Sequence, residues 1–166
     1  MKEIFSRRSI RRFTDEAVTA EQLEKLLRAA MQAPSACNEQ PWEFIVIRDK
    51  ETMTAIRRIQ PFARPLMTAD CAVVVCGDVR RQRFEGFWVE DCSAAMQNLL
   101  LEAEHLGLGA VWMGLYPMMQ AVEKIKPLLN LPEEIMPLGI AAVGHPAVRV
   151  EPEDRFRPER IHLEKW

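Results

Sequence analysis

The spacing of hydrophobic residues along this chain distinguishes helical segments from strand-like segments. A capping box at Thr19 and Gln22 precedes apolar residues three or four positions apart, which predicts a helix that Pro34 ends. The longest helical pattern covers residues 88–106. Its middle is apolar or small nearly all round, so we expect a long helix buried on most sides, against its own sheet and a partner subunit. A short helix that runs into a loop is predicted over residues 5–12, and further helices are predicted over residues 51–59 and 118–129.

Short apolar runs predict β-strands over residues 43–47, 71–76, 110–113 and 136–143. The run from Cys71 to Cys76 is continuous and rich in β-branched residues, which is typical of a strand buried on both faces. Strands and helices are mixed without a regular βαβ order, so the predicted fold class is α+β. The tail is charged but ends in apolar residues, and this indicates that it docks on another surface, such as a neighbouring subunit.

The composition indicates one globular domain over residues 1–166. Of the 166 residues, 48% are hydrophobic and 28% are charged, which is enough for one core. The net charge of −2 argues against a dedicated nucleic-acid binder, since such proteins are usually basic overall. No apolar stretch reaches the ~18 residues of a membrane helix, and the first residues run into charge without the apolar core of a signal peptide. We therefore expect a cytoplasmic protein with neither nucleic acid nor membrane as a partner.

Motifs for metals and nucleotides do not stand out in the sequence. The four cysteines lack CxxC spacing and the three histidines are scattered, so no metal site is predicted. There is no GxGxxG after a strand and no Walker A motif, so neither a Rossmann nor a P-loop site is supported. No triad or carboxylate pair is evident either, and we predict no catalytic side chain.

A basic segment near the start of the chain, Arg7-Arg8-Ser9-Ile10-Arg11-Arg12, contains four arginines in six residues. Guanidinium groups offer a planar fork of donors that fits phosphate oxygens, and a serine hydroxyl adds another donor. The segment therefore predicts a phosphate site. By itself it is also compatible with a solvated surface or with a non-specific nucleic-acid or targeting patch.

Four segments occur together in an order that points to one protein family. They are Arg7-Arg8-Ser9-Ile10-Arg11, Pro34-Ser35-Ala36-Cys37-Asn38-Glu39-Gln40-Pro41-Trp42, Gly107-Leu108-Gly109-Ala110-Val111-Trp112-Met113-Gly114, and the tail from Asp154-Arg155-Phe156 to Trp166. Over essentially the whole chain, this combination closely resembles the FMN-dependent nitroreductase family. The resemblance implies a nitroreductase-like fold with a central mixed β-sheet flanked by helices. It also implies an obligate homodimer with two FMN molecules at the interface and each C-terminal tail docked on the partner subunit.

The resemblance further implies which residues contact FMN. A backbone N–H beside the flavin can tune its redox chemistry, and glycine permits close approach. Arg11 is also a candidate for the N1–C2 edge of the flavin. The implied contacts are Arg7, Arg8, Ser9, Arg11 and Arg155 at the phosphate, Pro34, Ser35, Ala36 and Asn38 reaching the flavin from the other subunit, and Met113 and Gly114 near the flavin N5.

Two features depart from the family pattern. Glu153 stands where relatives often carry a lysine, so a second C-terminal cation is missing unless Arg157 replaces it. Only residues 78–87 separate the second strand from the long helix, so a lid over the substrate must be short. We expect Arg12 to be a surface charge and Trp42 to pack in the core. The candidate lid residues are Arg83, Phe84, Phe87 and Trp88.

The function that the resemblance implies is that of an FMN-dependent NAD(P)H oxidoreductase with ping-pong kinetics. NADH or NADPH would reduce FMN, and a small organic acceptor, such as a nitroaromatic or a quinone, would then take the electrons. The cofactor carries the difficult step, in agreement with the lack of a predicted catalytic side chain. Two alternatives stay open, a flavin-binding module without turnover and a flavin-fragmenting or dehalogenating relative of the same fold. The acceptor and the preferred nicotinamide are also open.

Overall fold

A four-stranded antiparallel sheet forms the centre of the molecule. A computed structural model describes residues 2–166, so Met1, where the predicted domain begins, lies outside the described residues. The strands are β1 (Trp42–Ile47), β2 (Cys71–Asp78), β3 (Gly109–Gly114) and β4 (Ile135–Gly144). Their spatial order is β1-β2-β4-β3, so β1 and β3 lie at the two edges.

Helices cover both faces of this sheet. They are α1 (Glu3–Ser6), α2 (Ala20–Ala30), α3 (Lys50–Ile59), α4 (Phe87–His105) and α5 (Met119–Leu128). The central strand β2 is buried along its whole length, because its alternate side chains point into two cores. Val73 and Val75 pack with α2 and α4, whereas Ala72 and Val74 pack with α3 and α5. This confirms the prediction of a strand buried on both faces.

Two of the helices begin at side-chain caps. Thr19 Oγ1 accepts a hydrogen bond from the Gln22 backbone N–H at 3.1 Å, and Gln22 Oε1 accepts one from the Thr19 N–H at 2.8 Å. The capping box predicted for α2 is thereby confirmed. At α3, Asp49 Oδ2 accepts from the Thr52 N–H at 2.7 Å. A cap of this kind typically stabilises a helix by ~1 kcal/mol.

The long helix α4 buries a stripe of residues spaced three or four positions apart. Trp42 packs in the same core, as expected. Ser93 and Ala94 are half-buried and Gln97 is exposed, so one side of the helix is open within a single chain. Its predicted packing against a partner therefore stays a prediction. The buried stripe consists of Trp88, Asp91, Cys92, Ala95, Met96, Leu99, Leu100 and Ala103.

The first segment of the chain agrees with the prediction of a short helix that runs into a loop, but the helix begins at Glu3 and is only four residues long. Helix α1 ends at Ser6, and Arg7 has extended backbone angles, φ −56° and ψ 129°. Ser9 pairs in parallel with Ala110 of β3. The unpaired backbone groups of an edge strand favour such a pairing, so the edge of β3 draws the arginine-rich segment into an extended conformation.

The sheet itself corrects one detail of the expected fold. The α+β class is confirmed, but all the pairings between strands are antiparallel, where a mixed sheet was expected. Within the described residues, the one parallel pairing is the isolated bridge between Ser9 and Ala110.

The tail is exposed throughout residues 147–166. No contact within the described residues buries the apolar side chains of this segment, and docking of the tail on a partner stays our prediction. In the part of the chain that the structure describes, no helix has the length and apolarity to cross a membrane. The exposed apolar residues of the tail are Val148, Val150, Phe156, Ile161, Leu163 and Trp166.

Candidate functional site

Three guanidinium groups, those of Arg7, Arg8 and Arg155, lie close together and are called the arginine cluster below. The pKa of Arg7 lies below its ordinary value because the group is partly buried and because the positive charges of Arg155 and Arg8 lie near it. Like charges held together attract an anion, and guanidinium is the group that binds phosphate through paired hydrogen bonds. The cluster therefore has the electrostatics of a phosphate site.

Glu153 and Arg157 relate differently to this cluster. Glu153 Oε2 lies 3.7 Å from Arg8 Nη2 and 3.8 Å from Arg155 Nε. The Glu153 side chain is 64% exposed and both contacts are long, so an incoming phosphate can displace this solvated carboxylate at little cost. Arg157 donates through Nη1 to the Phe156 carbonyl oxygen at 2.9 Å, which ties it to its own neighbour.

The segment after the cluster is fixed against the edge of β3. The Ile10 N–H donates to the Ala110 carbonyl oxygen at 3.0 Å, next to the pairing of Ser9 with Ala110. Gly109 permits this approach, since a Cβ there would lie 2.7 Å from Ile10 Cγ2. Arg11 Nη1 donates to the Ser9 carbonyl oxygen at 3.2 Å. Ser9 and Arg11 are thereby held beside β3, close to the arginine cluster.

The opposite end of β3 presents backbone groups along a free edge. Hydrogen bonds of an antiparallel strand point alternately to either side. Leu115, just after β3, donates its N–H to Leu138 of β4, whereas Ala110 accepts on the other side. Gly114 shares the side of Ala110, so its N–H points away from β4. A Cβ added at Gly114 would meet no heavy atom within 4 Å. A ligand can therefore approach the backbone at Gly114 closely.

A cavity of about 1150 Å³ lies beside this edge. Ala110 and Gly114 are four positions apart in β3, which corresponds to roughly 13 Å along a strand. An elongated ligand with a phosphate at one end can therefore extend from the arginine cluster to Gly114. The cavity is lined by apolar and cationic side chains that include Arg11, Phe62, Arg64, Met113, Gly114 and Met118.

The loop that contains Pro34, Ser35, Ala36 and Asn38 belongs to a separate part of the molecule. It precedes β1, and β1 and β3 are opposite edges of the sheet. Three strand spacings amount to roughly 14 Å. The structure of one chain thus brings Arg7, Arg8, Ser9, Arg11 and Arg155 to the same edge as Met113 and Gly114, and it does not bring the loop to them.

Asp91 of α4 holds this loop in place. The Ala36 N–H donates to Asp91 Oδ1 at 2.9 Å. Asp91 is 4% exposed, burial raises its pKa, and its Oδ2 has no hydrogen-bond partner among the described residues. Cys37, Asn38 and Gln40 have left-handed backbone angles with φ of 49°, 56° and 50°, each of which costs a non-glycine residue ~1 kcal/mol or more. The loop therefore has a strained, defined shape that leaves Asn38 exposed.

Three residues around these sites were not predicted from the sequence, namely Gln60, Arg64 and Asp91. Gln60 continues the apolar helical spacing of Met53 and Ile56, so a polar residue at a core position could have drawn attention to it. Asp91 is likewise a carboxylate within the apolar stripe of α4. Arg64 lies between prolines in an irregular segment, where no periodic pattern could have distinguished it from a surface charge.

Trp88 is not a lid residue, and this part of the lid prediction is wrong. Trp88 is buried against β2 at Gly77, where a Cβ would lie 2.5 Å from Trp88 Cε3. Its ring also packs edge-on against Tyr116, with 5.0 Å between the ring centroids. The missing side chain at Gly77 creates the space that the indole ring fills, which the sequence pattern alone did not reveal.

The other candidate lid residues, Arg83, Phe84 and Phe87, are exposed. The Phe84 and Phe87 rings pack edge-on at 6.2 Å. The backbone N–H of Arg83 donates to Glu39 Oε1 at 2.7 Å, so this segment lies beside the loop that precedes β1. A role over the flavin of another subunit stays a prediction for these residues.

The cysteines and carboxylates of the described residues offer neither a metal site nor a reactive buried thiol. Within residues 2–166, no group of three or more His, Cys, Asp or Glu side chains is arranged to hold a metal ion. Cys71, Cys76 and Cys92 are buried, whereas Cys37 is exposed. Burial raises the pKa of Cys71 to about 11 and that of Cys76 to about 12. These two thiols therefore stay protonated and unreactive near neutral pH.

An arginine cluster at one end of an edge strand and an open backbone at the other end have the spacing of an elongated phosphate ester. The model of the nitroreductase family matches residues 4–75 and 66–145. A protein of Methanothermobacter thermautotrophicus, with the provisional name NADH dehydrogenase/NAD(P)H nitroreductase, is 45% identical over 166 residues, which is 100% of this chain and 87% of that protein. The chain belongs to the nitroreductase family.

Solved structures confirm the predicted fold. An FMN-dependent nitroreductase from Clostridium difficile superposes with a TM-score of 0.92 at 28% identity, over 100% of both chains. A structure from Desulfovibrio desulfuricans, provisionally described as a nitroreductase in complex with FMN, superposes with a TM-score of 0.86 at 33% identity. That match covers 99% of this chain and 96% of the other.

Proposed function

We propose that this chain is an FMN-dependent NAD(P)H oxidoreductase. The main support is that Ser9, next to the arginine cluster, pairs with Ala110 at one end of β3, while the open backbone at Gly114 lies at the other end of the same edge. This distance is within the span of one elongated phosphate ester. The Methanothermobacter relative has NAD(P)H in its name, and both solved structures have FMN in theirs. When bound, FMN accepts a hydride from NADH or NADPH and passes electrons to an organic acceptor.

At the phosphate end, side chains of this chain bind and orient the phosphate group of the cofactor. Arg7, Arg8 and Arg155 donate paired N–H groups to phosphate oxygens, and the Ser9 hydroxyl adds a further donor. Arg11 and Arg64 line the cavity, and their positive charges stabilise negative charge that develops within it. The cationic groups thus extend from the phosphate towards the redox end.

At the redox end, the backbone of Met113 and Gly114 presents a donor to the cofactor. Phe62, Met113 and Met118 give the cavity apolar walls, which exclude water and suit a flat apolar acceptor such as a nitroaromatic or a quinone. No side chain has to act as an acid, a base or a nucleophile, because the cofactor supplies the reactive atom.

A second copy of the chain completes the site. In its own chain, the loop with Pro34, Ser35, Ala36 and Asn38 lies at the opposite edge of the sheet from Gly114. It can therefore serve a flavin bound by another copy. The exposed apolar tail and the open side of α4 provide surfaces that a homodimer would bury. The cytoplasmic location stays a prediction, and the choice between NADH and NADPH stays open.

Anaerobic reduction tests this function. Protein reconstituted with FMN should be yellow, should bleach when NADH or NADPH is added, and should regain its colour when a quinone is supplied. Stable FMN binding without bleaching by either nicotinamide would favour the flavin-binding module without turnover. Accumulation of a flavin breakdown product in air would favour the flavin-fragmenting alternative. A colourless protein that does not bind added FMN would contradict the proposal.

A further inference from the structure

The buried amide of Gln60 connects two walls of the cavity beside β3. Gln60 follows directly after α3 and is 2% exposed. Its Nε2 donates to the Gly114 carbonyl oxygen at 2.7 Å, and its Oε1 accepts from the Phe62 backbone N–H at 3.3 Å. Gly114 and Phe62 both line the cavity. A single buried side chain therefore fixes the two walls of the cavity relative to each other.

The bond to Gly114 changes what the edge of β3 offers to a ligand. The N–H and the carbonyl group of one residue in an antiparallel strand point to the same side, so both groups of Gly114 face the free edge. Gln60 occupies the carbonyl oxygen and leaves the N–H available. Without Gln60, the Gly114 carbonyl oxygen at this edge would be free to accept a hydrogen bond from a ligand.

We propose that Gln60 is a positioning residue that keeps the Gly114 edge a hydrogen-bond donor and thereby lowers the redox potential of the bound flavin. This inference rests on the proposed function. Oxidised flavin has a lone pair at N5 that accepts a hydrogen bond, whereas N5 of reduced flavin carries a proton and donates. A free Gly114 N–H stabilises the oxidised form, and a free Gly114 carbonyl oxygen would stabilise the reduced form. Because Gln60 binds the Gly114 carbonyl oxygen, this oxygen does not stabilise the reduced form.

The test is the midpoint potential of FMN bound to Gln60→Met. Methionine has a similar length and shape but no N–H to donate, so the Gly114 carbonyl oxygen is released. We expect the ratio of affinities for reduced and oxidised FMN to rise about tenfold, which raises the midpoint potential of this two-electron couple by ~30 mV. Spectroelectrochemical titration of wild type and variant measures the shift directly and does not depend on turnover.

Asn98→Leu is the matched control. Asn98 Nδ2 donates to the Ala29 carbonyl oxygen at 3.1 Å between α4 and α2, another bond from a side-chain amide to a backbone carbonyl, on the other face of the sheet. Its loss should lower the melting temperature of the apoprotein and leave the potential unchanged. If Gln60→Met does not fold, Gln60→Asn serves as the test variant, because the asparagine side chain is one methylene shorter than that of glutamine.

The outcomes separate this inference from the proposed function. A rise in potential in the Gln60 variants, with the potential of Asn98→Leu unchanged, supports the role of Gln60. Wild-type potentials in the folded Gln60 variants would overturn it, even if their stability is reduced. A wild-type protein that binds no FMN would overturn the proposed function itself.

Discussion

Replacing Arg7 and Arg8 together by alanine is expected to weaken FMN binding about 100-fold or more. Hydrogen bonds to a charged group contribute about 1.5–3 kcal/mol, and ~1.4 kcal/mol corresponds to a factor of ten in affinity. The melting temperature of the apoprotein should not fall, because the lowered pKa of Arg7 reflects its burial and repulsion from Arg155 and Arg8. Removing two of these charges relieves that repulsion. Fluorescence titration with FMN and thermal unfolding measure the two effects.

Riboflavin separates the phosphate contact from a general loss of the site, because it lacks the phosphate. Wild type should bind FMN more tightly than riboflavin, and in Arg7→Ala/Arg8→Ala this preference should shrink about 100-fold or more, because riboflavin never made the lost contacts. Arg28→Ala is the matched control, since Arg28 is an exposed arginine paired with Glu24 on α2. If the double variant kept the wild-type preference for FMN, the arginine cluster would not be the phosphate site.

Deleting residues 151–166 is expected to turn a dimer into a monomer that no longer retains FMN. The deleted segment is exposed and includes Phe156, Ile161, Leu163 and Trp166. Burying each of these side chains on a partner would contribute ~2 kcal/mol, so their loss should weaken the dimer by several kcal/mol. The circular dichroism spectrum should be largely preserved, because these residues lie outside both cores. Analytical ultracentrifugation measures the change in mass.

Arg155→Ala in the full-length chain distinguishes the two roles of the tail. This variant keeps all the apolar residues of the tail, so it should stay dimeric while its FMN affinity falls about tenfold or more, as for one lost contact to phosphate. A truncated protein that stays dimeric and keeps its flavin would show that the tail neither holds the dimer together nor contributes to the site.

Features that depend on close neighbours in sequence could be predicted. The capping box at Thr19 and Gln22, the doubly buried strand β2 and the core position of Trp42 all follow from short-range spacing and from residue type. The strand order β1-β2-β4-β3 depends on pairings between distant segments. No local pattern encodes such an order, and the family resemblance supplied the fold that the periodicity left open.

The features that the sequence did not reveal share a physical cause, which is a contact between residues far apart in sequence. The loop predicted after the first helix carries no strand pattern, yet Ser9 pairs with Ala110 at the edge of β3. Trp88 follows an irregular segment, yet the space at Gly77 buries its ring. Neither Gln60 nor Asp91 belongs to a recognisable motif, and only their hydrogen bonds to Gly114 and Ala36 show which backbone segments they fix.

Mixed dimers test directly whether the flavin site is shared between two copies. Two chains with different affinity tags are co-expressed, one with Arg7→Ala/Arg8→Ala and the other with Ser35→Ala/Asn38→Gly. Glycine keeps the left-handed backbone of position 38, where φ is 56°, and removes only the amide. Each parent homodimer then has two damaged sites, whereas the heterodimer has one intact site and one that is damaged twice.

We predict that the purified heterodimer retains one FMN per dimer, that this flavin bleaches with NADH or NADPH under anaerobic conditions, and that each parent homodimer retains little. This result requires the arginine cluster of one chain and the Asn38 loop of the other to meet at the same flavin. A heterodimer that retains no more reducible flavin than its parents would contradict a site shared between two copies.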